Sequence, residues 1–241
     1  MPLPFCHKDN QWRAFYVEVT MTDDRISVQN IHLGCHYSPE PELDYSEFFS
    51  ELYEYTPSSP FVNKVTEGSP SNPEECTVAF GGKGGGNPLE TSTNYVRIEL
   101  VDTGEDSDPE LSIHSDFWHT FVSDVAEIVS TISDMAGGIK FNVFSINMDL
   151  EASLAEIVEA NPELPDEFED YDVTGFRFDY YRQGGFEDEI DILLQKYSDE
   201  EPNKTTARIA CDSSRLDPDE AEDFITSQND DLIETSEGLL P

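Results

Sequence analysis

SDFWHTFVSDVAEIVSTISDMAGGIKFNVFSINM, residues 115–148, holds the change of pattern on which the fold turns. Trp118, Phe121, Val122, Val125, Ile128, Val129, Ile132 and Met135 recur at helical spacing, which lays them along one face of a helix. Ser115 or Asp116 stands where an N-cap belongs. Gly137-Gly138 follows the last apolar position, where glycine tolerates the left-handed conformation that closes a helix. The apolar run Ile139–Met148 then has the length and composition of a strand.

Towards the C-terminus the alternation continues. Asp149–Ala160 reads as a helix stopped by Asn161-Pro162. In the strand Asp172–Tyr181, Phe176, Phe178 and Tyr180 share one face, and Arg177, Asp179 and Tyr181 share the other. Phe186–Tyr197 fits a helix with Ile190, Leu193 and Leu194 inward, and Thr205–Cys211 a strand. Asp217-Pro218-Asp219-Glu220 opens a last helix, with proline in its first turn and negative charge at the positive end of its dipole.

The first half reads differently. Residues Arg13–Met21 alternate, Thr22-Asp23-Asp24 is turn chemistry, and Ile26 and Val28 resume the alternation, which predicts a long β-hairpin. Apolar parity changes between Val28 and Ile31, so a bulge is expected near Gln29-Asn30. Asp44–Tyr55 predicts a short helix with Phe48, Phe49 and Leu52 on one stripe. Residues 56–74 carry four prolines and read as a loop or an extended excursion, the place for a long exposed arm. Strands follow at Cys76–Phe80, Tyr95–Val101 and Leu111–His114, the last two separated by the polar turn DTGEDSDPE. The pattern predicts an α+β chain: an N-terminal β-rich half with a long hairpin, then alternating strands and helices packed on a mixed sheet. A seam near residue 113 divides it into 1–113 and 114–241, as two units or as one continuous domain. No internal repeat is visible.

Charge bounds the function. The chain has 241 residues, 52 acidic against 13 basic, and a formal net charge of −39. The acids are interleaved with aromatic and β-branched residues along nearly the whole length, which fits a folded protein with an acidic surface better than a disordered tail. Lysine is almost gone: Lys8, Lys64, Lys83, Lys140, Lys196 and Lys204 are all there are. Both features resemble proteins of extremely salt-loving organisms, where molar salt shortens the screening length to about 3 Å. An acidic mimic of nucleic acid is the alternative, but the charge is spread rather than gathered in one segment. Direct nucleic-acid binding is not expected, because no basic patch exists to displace counterions. With no run of 18 apolar residues and no basic-then-apolar start, neither a membrane span nor a signal peptide is expected. A location in the cytoplasm or a virion follows.

Several stretches bear on chemistry. Residues 81–86, GGKGGG, follow a strand as a phosphate loop would, but Asn87-Pro88 stands where lysine and a hydroxyl residue are required, so no nucleotide or other cofactor is expected. Cys6, His7, Cys35 and His36, with His32 nearby, would be brought together by the hairpin as a tetrahedral zinc set, although the spacing is not a standard zinc pattern. The run HSDFWH places His114, Asp116 and His119 together, where a His–Asp pair can act as a base but no marked nucleophile accompanies it. The acidic turn at 102–110 lacks the spacing of a calcium loop. Tyr181 and Arg182 suit a contact edge, and Lys83 suits contact with an acidic neighbour. Arg13, Arg97, Arg177 and Arg208 lie in predicted strands, where carboxylate partners are expected. Together these point to a non-enzymatic interaction protein: a subunit of a larger assembly in a halophilic archaeon or one of its viruses. A zinc-dependent protein or enzyme using the N-terminal Cys/His cluster is the competing expectation.

Overall fold

A computed structural model describes residues 24–37, 43–83, 87–89, 95–102, 109–160, 175–181, 189–198, 200–211, 213 and 215–241. Nine strands are present among them: β1 (Ile26–Tyr37), β2 (Val62–Ser69), β3 (Asn72–Gly82), β4 (Tyr95–Val101), β5 (Glu110–Phe117), β6 (Val143–Leu150), β7 (Gly175–Tyr181), β8 (Glu189–Lys196) and β9 (Thr205–Cys211). They form one sheet in the order β2-β3-β4-β5-β1-β6-β9-β8-β7. Four α-helices accompany it: α1 (Tyr45–Glu54), α2 (Val122–Ala136), α3 (Leu154–Ala160) and α4 (Ala221–Glu237). The fold is α+β with strands dominant. Every pairing among the described strands is antiparallel, where a mixed sheet was expected.

The departure from a mixed sheet has a local cause. Residues 189–196 form strand β8, not the expected helix, and β8 pairs antiparallel with both β7 and β9. Ile190, Ile192 and Leu194 alternate as well as Ile190, Leu193 and Leu194 make a stripe. Pairing with β7 on one side and β9 on the other decides for the strand, since helix propensity is a weak preference against two ladders.

A second correction concerns the start of α2. Ser115 and Asp116 do not cap it but lie in β5, where Ser115 is fully buried opposite Leu33 of β1 and Val96 of β4. The chain passes through a 3₁₀ turn, His119–Phe121, before α2 begins, which leaves Trp118 off the helix. The C-terminus is as expected: Gly137 adopts φ 69°, and Gly138 N–H donates to Ser133 C=O at 2.8 Å.

The proline-rich segment is not an arm. It contains β2 and the start of β3, a hairpin whose register shifts between Glu67 and Ser69. Gly68 sits at that shift with φ 78°, and a Cβ there would lie 2.1 Å from the Glu75 carbonyl oxygen. The bulge expected near Gln29 is present as a register shift between Val28 and Asn30. Residues 13–21, the first arm of the expected hairpin, lie outside the described residues.

The helices pack on one face. Ile31, Leu33 and Cys35 of β1, Ile113 of β5, Phe144 and Ile146 of β6, and Ile209 of β9 join Phe48, Val129, Ile157 and Ile225 of the helices in one core. Helix α1 is held at both ends. The Asp44 carboxylate accepts from Ser46 and Glu47 N–H at its start. At its end the Lys64 ammonium, on the core side of β2, donates to the carbonyls of Leu52, Tyr53 and Tyr55.

The element order also holds a repetition. The segment β1-α1-β2-β3-β4-β5-α2 is followed by β6-α3-β7-β8-β9-α4, and the sheet order is mirrored about the β1–β6 pair. Within that central pair His32 faces Ser145. Helices α2 and α4 pack against each other, and their buried positions correspond: Val125 with Ile225, Val129 with Asn229, Ile132 with Leu232, Ser133 with Ile233, Ala136 with Ser236. Val129 against Asn229 and Ala136 against Ser236 show why no repeat is visible in the residues.

Candidate functional site

Beyond the bulge of β1, the residues that turn away from the helices are Asn30, His32, Gly34 and His36. Their neighbours on the same face follow from register. Ser112, His114 and Asp116 come from β5, Arg97 and Glu99 from β4, Ser145 and Asn147 from β6, and Arg208 from β9. The centre of this face therefore gathers three of the five histidines and two of the seven arginines of a strongly acidic chain.

These side chains are tied to one another. The Asn30 amide donates to the Asp116 carboxylate, and the Asn147 amide donates to the Asn30 side-chain oxygen at 3.0 Å. The rings of His32 and His114 meet edge to face with centroids 4.8 Å apart. Ser112 Oγ lies 3.1 Å from His36 Nε2, and Arg208 Nε donates to Ser145 Oγ at 3.4 Å. Arg97 pairs with Glu99 at 2.8 Å, the carboxylate partner its place in a strand led one to expect. The pseudo-symmetry extends here: His114 and Arg208 occupy corresponding places on either side of the His32–Ser145 pair.

No family model matches this chain, and neither a curated protein nor a solved structure is similar to it. Its chemistry is read from this geometry alone.

Burial lowers the pKa of His32, and the neighbouring His114 and Arg208 lower it further while Asp116 opposes them. His114 is lowered first by burial, then by His36 and Arg97, against the pull of Asp116 and Glu99. A folded state with lowered histidine pKa values binds fewer protons than the unfolded chain just below the ordinary value of 6.5. Stability is then lost as pH falls through 6.5 towards the lowered values, and is present above it. The melting temperature is expected to fall between about pH 7.5 and 5.5, and His32→Gln with His114→Gln should flatten that slope. An unchanged slope in the double variant would remove these two groups as its source.

Of the expected zinc set, Cys35 and His36 lie among the described residues. Cys35 points into the core, where its thiol contacts the Lys140 carbonyl at 2.6 Å, and burial pushes its pKa up to about 12. His36, the next residue of the strand, is exposed on the opposite face. Consecutive strand residues cannot turn to one ion without breaking β1. Cys6 and His7 lie outside the described residues, among which no group of three or more His, Cys, Asp or Glu side chains converges on a metal position.

His114 and Asp116 do share a face, but His119 lies apart in the 3₁₀ turn, where burial lowers its pKa. In the glycine stretch, Gly81 and Gly82 belong to β3, and Lys83 N–H donates to the Phe61 carbonyl at 2.6 Å. Residues 84–86 lie outside the described set, as do 103–108 of the acidic turn. Tyr181 ends β7, and Arg182 is outside. Asn30, Asn147, Ser145 and Ser112 were missed in sequence. The signal was there in the polar parity of residues 30, 32, 34 and 36 once the bulge is allowed for.

Proposed function

We propose that the protein is a non-catalytic interaction subunit of a larger assembly in an extreme halophile or one of its viruses, housed in the cytoplasm or the particle. On this reading the sheet face turned away from the helices is what it presents to neighbouring protein. One observation carries this: that face concentrates His32, His36, His114, Arg97 and Arg208 in an otherwise acidic chain. The same side chains support binding better than catalysis. Asp116 is held by Asn30, Glu99 by Arg97, and Ser112 meets His36 with no third group among the described residues completing a relay. Their positions are fixed, which suits a docking surface. No helix among the described residues is long and apolar enough to cross a membrane.

The test is the native mass of the protein extracted from its host in molar salt, with cross-links mapped to residues. The expected result is a particle well above the 27.2 kDa of one chain, with cross-links on strands β1, β4, β5 and β9. Elution as a single chain in host extract would overturn the assembly reading.

A further inference from the structure

Four arginines have described side chains, and three of them end on an oxygen of this chain. Arg25 donates to the Pro241 carbonyl at 3.0 Å, Arg97 to the Glu99 carboxylate at 2.8 Å and Arg215 to the Gly137 carbonyl at 2.8 Å. Arg208, on the sheet face turned away from the helices, differs. It is exposed, its Nε donates to Ser145 Oγ at a long 3.4 Å, and no ion pair among the described residues includes it. Its two terminal nitrogens form the fork that grips a carboxylate with two parallel bonds, and among the described residues that fork holds nothing.

Register explains how so acidic a chain leaves this cation alone. Asp116 of β5 stands opposite His32, but at the corresponding place on β9, opposite Ser145, stands Ala210. The outward positions of β9 are Thr206, Arg208 and Ala210, so its own strand offers no carboxylate. Asn147 of β6 and Leu193 of β8 flank Arg208 directly. Asp149 of β6 and Asp191 of β8 lie diagonal to it, within reach of a long side chain. Yet Asp149 takes the Gln29 amide at 2.7 Å, and neither acid pairs with Arg208.

We propose that Arg208 anchors the docking face by receiving a carboxylate from an acidic segment of a neighbouring protein. The proposal rests on the assembly reading and names the chemistry of the partner and the residue that meets it. Charge complementarity decides the class. The fork fits a carboxylate or a phosphate, but Asp116, Asp149 and Asp191 on the same face repel a continuous phosphate track and leave room for single acidic side chains. Leu193 beside the guanidinium offers an apolar floor, and a partner lying over it takes the ion pair out of the salt that would screen it at the surface. A guanidinium stays charged at any working pH, so this contact, unlike one made by His32 or His114, does not fade as pH rises.

The experiment expresses the full chain in its host and extracts it in molar salt. Arg208→Lys keeps the charge and supplies an amine, which a water-soluble carbodiimide joins only to a carboxylate in direct contact. The expected product, found by mass spectrometry, is an amide between position 208 and an Asp or Glu of another chain. The parent, with arginine there, should give none at that position. Arg208→Glu should lower the fraction of chain recovered in the particle by about tenfold or more. The melting temperature of the purified variant should match the parent, because the side chain is exposed. Coupling confined to acids of the same chain overturns the proposal, as does a particle indifferent to Arg208→Glu. If that particle still carries cross-links on β1, β4 and β5, only this contact falls and the assembly reading stands. Release of the chain by nuclease would assign Arg208 to phosphate and overturn the proposal as well.

Discussion

Phe144→Ala is expected to destabilise the protein by about 3–5 kcal/mol, the range for deleting a fully buried aromatic ring. Phe144 has no exposed surface, and Leu33 of β1 and Cys211 of β9 flank it within the sheet. Above it lies Phe224 of α4, centroids 6.0 Å apart, and Phe224 also stacks on Phe141 at 5.2 Å. Removing the ring takes a contact from the sheet and from the helix that covers it. The cavity closes poorly, because the pairings of β6 with β1 and with β9 hold the backbone around it. Against a typical total of about 5–15 kcal/mol this is a large fraction. For a chain of this size it corresponds to a fall of about 6–20 °C in melting temperature. Denaturant titration should show a lower midpoint with an unchanged slope. A loss under about 1 kcal/mol would mean that α4 does not seat on this part of the sheet.

Withdrawal of salt is expected to act more widely. At a net charge of −39 the folded chain holds like charges close, and the screening length grows from about 3 Å at 1 M salt to about 30 Å at 0.01 M. Each carboxylate then feels many others rather than its nearest neighbours. Few basic groups offset this: Lys204 pairs with Glu151 at 3.3 Å and Glu201 at 3.1 Å, and Arg97 with Glu99, all near the surface. The melting temperature should fall steadily as salt is lowered, and the cooperative transition should be lost at about 0.01 M. Circular dichroism at stepped salt concentrations measures it. A melting temperature indifferent to salt would remove the halophilic reading of the composition.

The elements legible in the sequence are those whose local pattern and tertiary pairing agree. The strand Thr205–Cys211 and the glycine end of α2 were read at the residues where they occur, and the bulge of β1 was read from a parity change alone. Where two patterns coexist, the sequence is silent about which prevails. Ile190–Leu194 satisfies both periods, and only β7 and β9 on either side select the strand. Ser115 has the chemistry of a cap, yet a position between β1 and β4 keeps it in the sheet. The proline-rich segment shows the opposite case: Pro57 and Pro60 precede β2, Pro70 sits at the turn, and Pro73 falls beside the register shift, so a hairpin tolerates all four. The site was legible only in part: its three histidines, two arginines and Asp116 were singled out, but not as one site. His32, His114 and Arg208 come from strands far apart in sequence, and only the order β5-β1-β6-β9 brings them side by side.

That order has a consequence for how the chain reaches its fold. Ile31 lies between Phe117 and Ile146, so β1 is the first described strand to be synthesised and finds its neighbours only after β5 and β6 exist. Closing such distant pairs costs loop entropy before any contact is gained, and chains dominated by them fold slowly. During synthesis Ile31, Leu33 and Cys35 wait without a partner strand while β2, β3 and β4 can already zip into hairpins. Of the first five strands the central one is thus the last to be secured on both sides, and the interval before β6 emerges leaves its apolar face open to aggregation.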